Sequence, residues 1–343
     1  MSERTFDRVL LTGASGFIGG HLAAELARRG YRVRALYRRE KIPEELAQLN
    51  KQGVETVRLD LAASAEILAG ELQKALEGIE AVFHVAALAG DWGPLDRYTR
   101  QNFDATVTLL EAARLSGCRK FVFTSSIAVH GFGPHNESTE DGPYYPLIVP
   151  YQTTKKMAEE FVIRQNGQGI ATTAIRPGNV LGPRDTSVSF LLFDAMEHGL
   201  RGNIGGGKSL TCPVFVGDVV DAQIRALENP AADGLIFNVT SGEKVTWAEY
   251  LAYAGELLGL PPPKLNLPLW LARSIAVSLE SFYRLFSIKS APTLTRYRVN
   301  HVAYDYSFSI ERARRVLGYE PTVGWRKALE LTAKDYLRRR SGR

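Results

Sequence analysis

The sequence predicts a doubly wound α/β protein: a parallel sheet covered by helices on both faces, followed by a smaller C-terminal α+β lobe. Over the first 180 residues, short apolar and β-branched runs alternate with helical patterns, as βαβ units do. The first such run passes straight into a glycine-rich turn and then a helix. After Arg176-Pro177-Gly178 the rhythm breaks into Gly/Pro-punctuated segments, which marks the second lobe.

Taken in order, the strands are expected at 9–11, 32–37, 55–59, 81–85, 120–124 and 172–175. Leu22, Leu26 and Ala27 share one face of the first helix. Val107, Leu110, Ala113 and Leu115 lie near one face of a later helix that stops at Gly117, and a long helical pattern covers 151–166. Beyond residue 180 the sequence offers an extra strand near 235–240 and helices near 247–258 and 311–317. Residues 1–180, with that extra strand, are expected to form the first domain, and residues 181–343 mainly the second lobe.

Composition excludes several classes. The chain has 343 residues, enough for one large or two modest domains with an ample core. Two cysteines, Cys118 and Cys212, make no disulfide framework and no ligand spacing, which favours a reducing compartment. Residues 1–8 are polar and carry no secretory pattern, so a cytoplasmic location is expected. The net charge of +5 is small for the length and spread along the chain, apart from the tail 338–343, read as a solvated end. The broad basic footprint of nucleic-acid binding is missing. The six histidines show no metal-ligand spacing, so no metal is expected and no role is given to them, His130 lying nearest the substrate side.

The turn after the first strand reads Thr12-Gly13-Ala14-Ser15-Gly16-Phe17-Ile18-Gly19, a G-x-x-G-x-x-G spacing in strand-turn-helix context. Glycine permits the tight turn and a close backbone approach to a pyrophosphate, while the helix N-terminus offers free N–H groups to the anion. The end of the second strand then selects the dinucleotide. An acid there binds ribose hydroxyls, whereas an arginine receives a 2′-phosphate. This chain reads Leu36-Tyr37-Arg38-Arg39, so NADP(H) is favoured, with NAD(H) possible. Asp60, followed by Leu61, either accepts from an adenine amino group or caps the helix after Ala62.

Hydride transfer at a carbinol carbon needs a partner that moves the hydroxyl proton, and a tyrosine whose pKa a fixed cation lowers can serve. Tyr151 and Lys155 stand at i and i+4, on one face of a helix, so the ammonium is expected beneath the phenol. Tyr37 and Lys41 share that spacing but sit at the adenosine end. The fifth strand ends in Thr124-Ser125-Ser126, whose hydroxyls can hold a substrate oxygen.

Together these residues resemble the extended branch of the short-chain dehydrogenase/reductases, with a Rossmann-like first domain. The likeness also takes in His84-Val85-Ala86-Ala87, Asn102, Arg176-Pro177-Gly178-Asn179-Val180-Leu181-Gly182-Pro183 and Val216-Gly217-Asp218-Val219. It implies Tyr151 as acid/base, Lys155 as its ribose-binding partner, Ser126 (alternatively Ser125) as the substrate-positioning hydroxyl, and Asn102 as holder of a relay water. It likewise assigns Ala86, Ala87, Pro177 and Val180 to the cofactor. Ala87-Leu88-Ala89-Gly90-Asp91-Trp92-Gly93 and the run from Pro292 to Pro321 are similar to the 3β-hydroxysteroid dehydrogenase-like branch. That branch includes sterol-4-carboxylate 3-dehydrogenases and 2-alkyl-3-ketoalkanoate reductases, whose likeness implies a lipophilic β-hydroxy or β-keto substrate.

An NDP-sugar epimerase or dehydratase using bound NAD is the alternative, with Asn179 and Arg184 on the substrate. Helix-pair homodimers are common among such relatives, so a homodimer is expected. The apolar stretch 265–288 carries Arg273, Glu280 and Arg284 and does not read as a spanning helix. It is left open here as core or dimer packing, a substrate lid, or a peripheral membrane contact.

Overall fold

A computed structural model describes residues 5–63, 65–186, 188–199, 202–261 and 265–341. Gly342 and Arg343 of the basic tail lie outside them. Seven strands form one sheet: β1 (Arg8–Thr12), β2 (Arg32–Tyr37), β3 (Glu55–Arg58), β4 (Ala81–His84), β5 (Lys120–Thr124), β6 (Ala171–Pro177) and β7 (Ile236–Val239). Their order is β7-β6-β5-β4-β1-β2-β3, every pair parallel. The expected doubly wound topology is therefore observed, and the strand near 235–240 closes one edge.

Period-two alternation along each strand feeds two cores. Val9, Leu11 and Phe83 point into one layer with Leu22 and Leu26 of the helix Phe17–Arg28 and Val219 and Val220 of the helix Val216–Glu228. Leu10, Val82 and Phe121 point into the other, with Leu72, Leu109, Leu110 and Val162. The helices on that side are Ala65–Leu76, Ala105–Leu115 and Pro150–Arg164. The last of these starts at Pro150 because proline needs no amide partner in a first turn.

Strand order reverses between β1 and β4, and their carboxyl ends flank the crevice where open α/β sheets bind ligands. The second lobe stands over that end. Its own core gathers Phe193, Met196, Tyr250, Trp325 and Tyr336. A short strand, Tyr306–Phe308, pairs with His135–Ser138 and ties the lobe back to the loop that follows β5.

Three features go beyond the sequence expectation. The helix before Ala105 is π-helical over Thr99–Asp104, centred on Asn102. The segment 265–288 is a short strand, Leu265–Leu267, and a helix, Leu269–Leu285. The basic tail, expected as a solvated end, is helical to Ser341, with Arg338 and Arg340 largely exposed while Arg338 and Arg339 pair to Asp335 and Arg340 to Glu197. Their partners lie one turn back or on a neighbouring helix, which is why the tail is ordered.

Candidate active site

The glycine turn is built for close approach. Gly13 has φ +74°, and a Cβ on it would lie 2.8 Å from the Ala86 amide nitrogen. A Cβ on Gly19 would run into the Gly13 carbonyl, so helix and strand touch through backbone alone. Gly16 caps the helix Phe17–Arg28 with no side-chain acceptor, and the first turn carries no acid. The amides of that turn are thus left for an anion. Ser15, Phe17 and Ile18 complete the turn. This cradle fits the pyrophosphate of a dinucleotide, because its helix N-terminus is uncapped by any side chain and carries no acid.

The crevice is spanned by a chain of hydrogen bonds that starts at the end of β1. Thr12 Oγ1 accepts from the amides of Val85 and Ala86 and so donates to His84 Nδ1 at 2.8 Å. Thr106 Oγ1 donates to the Asn102 carbonyl at 2.6 Å, so His84 Nε2–H donates to Thr106 at 2.9 Å. Burial and the Lys155 charge pull the His84 pKa down to about 3, which keeps the ring neutral as this pattern requires. Asn102 in turn grips the loop after Ala87: its Oδ1 accepts from the Leu88 amide, and its Nδ2 donates to the Leu88 carbonyl and to Thr154. Both Asn102 amide hydrogens are thus committed to the protein, and the side chain grips this loop.

Tyr151 and Lys155 face the crevice from the helix Pro150–Arg164. The Ser126 Oγ accepts from the Ala128 amide at 3.2 Å. Burial pushes the Tyr151 phenol pKa up, and the Ser126 hydroxyl opposes it. Lys155 Nζ donates to the Thr124 carbonyl and lies 4.0 Å from the centre of the Phe123 ring. Burial pulls the ammonium down to about 7, while the Glu159 carboxylate opposes. Tyrosine and lysine share a face as expected, but the expected lowering of the phenol is not what the geometry gives. The ammonium bonds to the strand-end carbonyl, and desolvation of the phenol dominates.

Ser125 is turned inward. Its amide bonds the Ile175 carbonyl, and its buried hydroxyl has no protein partner, so Ser126 is the hydroxyl that meets the phenol. Asn179 Nδ2 contacts Thr211 Oγ1 at 2.8 Å and His301 Nε2 at 3.2 Å. Arg184 does not join this group: its guanidinium packs over Gly20 and its amide bonds Asp335, on the far side of the glycine turn. His130 is not on the substrate side either. It is buried beneath Arg176 and stacked on Tyr144 at 4.7 Å. Arg38, at the end of β2, donates to Gln101, and Arg39 beside it is exposed. Asp60 Oδ1 accepts from the Ala62 amide across a turn that precedes the helix Ala65–Leu76. Leu61 packs on the core beside it. Pro177 and Val180 flank the strand-end turn at Gly178.

A cavity of about 570 Å³ lies against Val149 and Pro150, where the Tyr151 helix begins; Trp92, Ile148, Tyr283 and Tyr297 line it together with the charged Asp91, Arg97, Glu280, Arg284, Lys289 and Arg296. Tyr297 belongs to an aromatic group with Phe132, His301 and Tyr306, ring centres 4.9–6.0 Å apart. Asp91 fixes one wall by accepting from Thr295 and Arg298. Sequence reading missed Tyr297, His301 and the bridging role of His84.

A family profile described as the NAD dependent epimerase/dehydratase family matches residues 9–240. The chain belongs to that family. This epimerase/dehydratase-family chain is also 31% identical over 335 residues to the mouse sterol-4-alpha-carboxylate 3-dehydrogenase (decarboxylating), covering 94% of itself and 89% of the relative. It is 29% identical to the 2-alkyl-3-oxoalkanoate reductase of Stenotrophomonas maltophilia, covering 94% and 97%. Among solved structures it resembles MoeE5 in complex with UDP-glucuronic acid and NAD, at TM-score 0.75 and 27% identity, covering 97% and 99%. The crystal structure of gox2253 matches at TM-score 0.80 and 26% identity, covering 97% and 98%. The extended short-chain dehydrogenase/reductase assignment thus holds, and the protein is an NAD(P)-dependent oxidoreductase of that type.

Proposed function

We propose that this enzyme interconverts a secondary alcohol and a ketone on a lipophilic β-hydroxy or β-keto substrate, with NADP(H) as the preferred nucleotide. The observation that carries this reading is the placement of Tyr151 and Lys155 on one helix at the carboxyl end of β5, where Lys155 bonds the Thr124 carbonyl, near a cavity whose lining includes Trp92, Ile148, Val149, Tyr283 and Tyr297. In the reductive direction Ser126 orients the carbonyl oxygen and Tyr151 gives it the phenolic proton. Lys155, held by the Thr124 carbonyl one helical turn from the phenol, stabilises the phenolate left behind. The bound nicotinamide nucleotide supplies the hydride. Gly13, Ser15, Gly16, Phe17, Ile18 and Gly19 would hold its pyrophosphate, Ala86 and Ala87 its nicotinamide ribose, and Arg38 with Arg39 its 2′-phosphate. Exposed guanidinium groups at the end of β2 support that last assignment.

The likeness to MoeE5 favours a second reading, transient oxidation of a sugar nucleotide. The commitment of Asn179 to Thr211 and His301 weighs against it.

NADPH oxidation, followed with β-keto acids, 3-ketosteroids and NDP-4-ketosugars in parallel, tests the proposal. Consumption with members of the first two classes is expected. Consumption with the sugars alone overturns it. Tyr151→Phe should lower turnover by about 10²–10⁴-fold while nucleotide affinity stays nearly unchanged.

A further inference from the structure

Tyr297 brings to the cavity a phenol that the protein itself does not use. It stands in the first turn of the helix Arg296–Ala303 and lines the cavity with Val149 and Pro150, the two residues before Tyr151. Both of its chain neighbours are tied down. Arg296 donates to Glu280 through its amide and its Nε, and Arg298 Nε donates to Asp91 at 2.8 Å. The helix is capped by Thr295, whose hydroxyl accepts from the Arg298 amide and donates to Asp91. On this fixed backbone the Tyr297 ring packs edge-on to Phe132, with centres 4.9 Å apart and planes at 73°. Packing thus sets the ring, and nothing in the protein engages the hydroxyl.

Neighbouring phenols show the contrast. Tyr98 donates to the Trp92 carbonyl at 3.1 Å and Tyr306 to the Ile127 carbonyl at 3.3 Å. The Tyr297 hydroxyl donates to no group among the described residues. A phenol set into a protein wall usually has an acceptor, so one left over calls for a partner from outside the chain. Burial, and after it the Tyr151 phenol and the Asp91 carboxylate, push the Tyr297 pKa up, which keeps its proton in place as a donor.

The partner follows from counting acceptors. A ketone oxygen has two lone pairs. The function proposed above, on which this inference rests, gives one to Ser126 and the other to Tyr151. A third donor on the way from the crevice into the cavity therefore addresses a different oxygen. In a β-keto substrate that oxygen belongs to the acyl group to which the ketone is β. We infer that Tyr297 donates to this acyl oxygen and selects 3-oxo acyl compounds over simple ketones of equal length. The acyl oxygen is the same in ketone and alcohol, so the contact contributes to binding and not to proton transfer.

NADPH oxidation by the full-length chain is compared for a medium-chain methyl 3-oxo ester and a ketone of the same length without the ester oxygens. Tyr297→Phe keeps the ring and removes only the hydroxyl. It should lower kcat/KM for the oxo ester about tenfold, through KM, and leave the plain ketone unchanged. An equal loss on both compounds, or on neither, overturns the inference. A second measurement needs no turnover. The chain with NADPH bound is titrated calorimetrically with the methyl 3-hydroxy ester and with the corresponding simple alcohol, neither of which reacts with reduced nucleotide. The unsubstituted chain should bind the hydroxy ester about tenfold more tightly, and Tyr297→Phe should close that gap. Equal binding of the two by the unsubstituted chain overturns the inference whether or not the variant folds. A preference that depends on Tyr297, without NADPH oxidation by the oxo ester, supports this contact and overturns the function proposed above instead.

Discussion

Ser126 offsets part of what burial does to Tyr151, because its hydroxyl is the neighbour that favours the ionised phenol. Removing it leaves desolvation to push the pKa higher. Reduction needs the protonated phenol, so its rate falls as pH rises through that pKa, and Ser126→Ala should move the fall to higher pH. The loss of support for the substrate oxygen should also lower kcat by about 10²-fold. A pH profile of kcat/KM for ketone reduction checks both effects, and an unmoved upper limb would detach Ser126 from the phenol. At the other end of the crevice, Arg38→Asp replaces a phosphate-binding group with a repelling one, and the NADPH-over-NADH preference should drop by at least about tenfold in parallel steady-state assays. Side chains whose work is local were legible from spacing: the glycines of the turn, and Tyr151 with Lys155 four residues on. His84 was not, since its partners Thr12 and Thr106 lie 72 and 22 residues away and only the sheet register brings them together. Tyr297 escaped for the same reason. No short-range pattern links it to Tyr151.

Among the elements, the helix Pro150–Arg164 does two jobs one turn apart. Lys155 faces the crevice, and Glu159 makes a two-pronged ion pair with Arg176 at the end of β6, at 2.8 and 2.7 Å. Both partners are almost free of solvent, and the remaining guanidinium hydrogens go to His130, the Glu140 carbonyl and Tyr144. Glu159→Gln leaves a buried cation without its counter-charge, and urea denaturation should show a loss of about 3–5 kcal/mol. A much smaller loss would mean that water reaches this pair. Strands and helices with strong periodicity were readable to within a residue or two, as at 32–37 and 120–124. The π-helical turn at Thr99–Asp104 was not, because its cause is the grip of Asn102 on Leu88 rather than any local propensity. The direction of the helix Leu269–Leu285 was equally hidden. Its apolar stripe announces a buried face, and only the packing reveals that Ala272 and Ala276 point inward instead.

For the molecule as a whole, burial keeps His84, His130 and His301 neutral, with pKa values pulled down to about 3, about 3 and about 4. In the unfolded chain each takes up a proton below about pH 6.5. Between those limits the unfolded state binds more protons, so stability rises with pH and is lost on acidification through this window, by up to about 1.4 kcal/mol per pH unit for each ring. Denaturation midpoints at a series of pH values from neutral downwards would show this slope, and a flat response would mean that the rings are charged when folded. The neutral His84 has a broader effect. It ties the tips of β1 and β4 to the segment gripping residue 88, so the floor on which a nicotinamide ribose would rest is set when the chain folds. Nucleotide association then immobilises little further backbone. Its heat-capacity change should accordingly reflect the dinucleotide surface taken out of water rather than a loop becoming rigid.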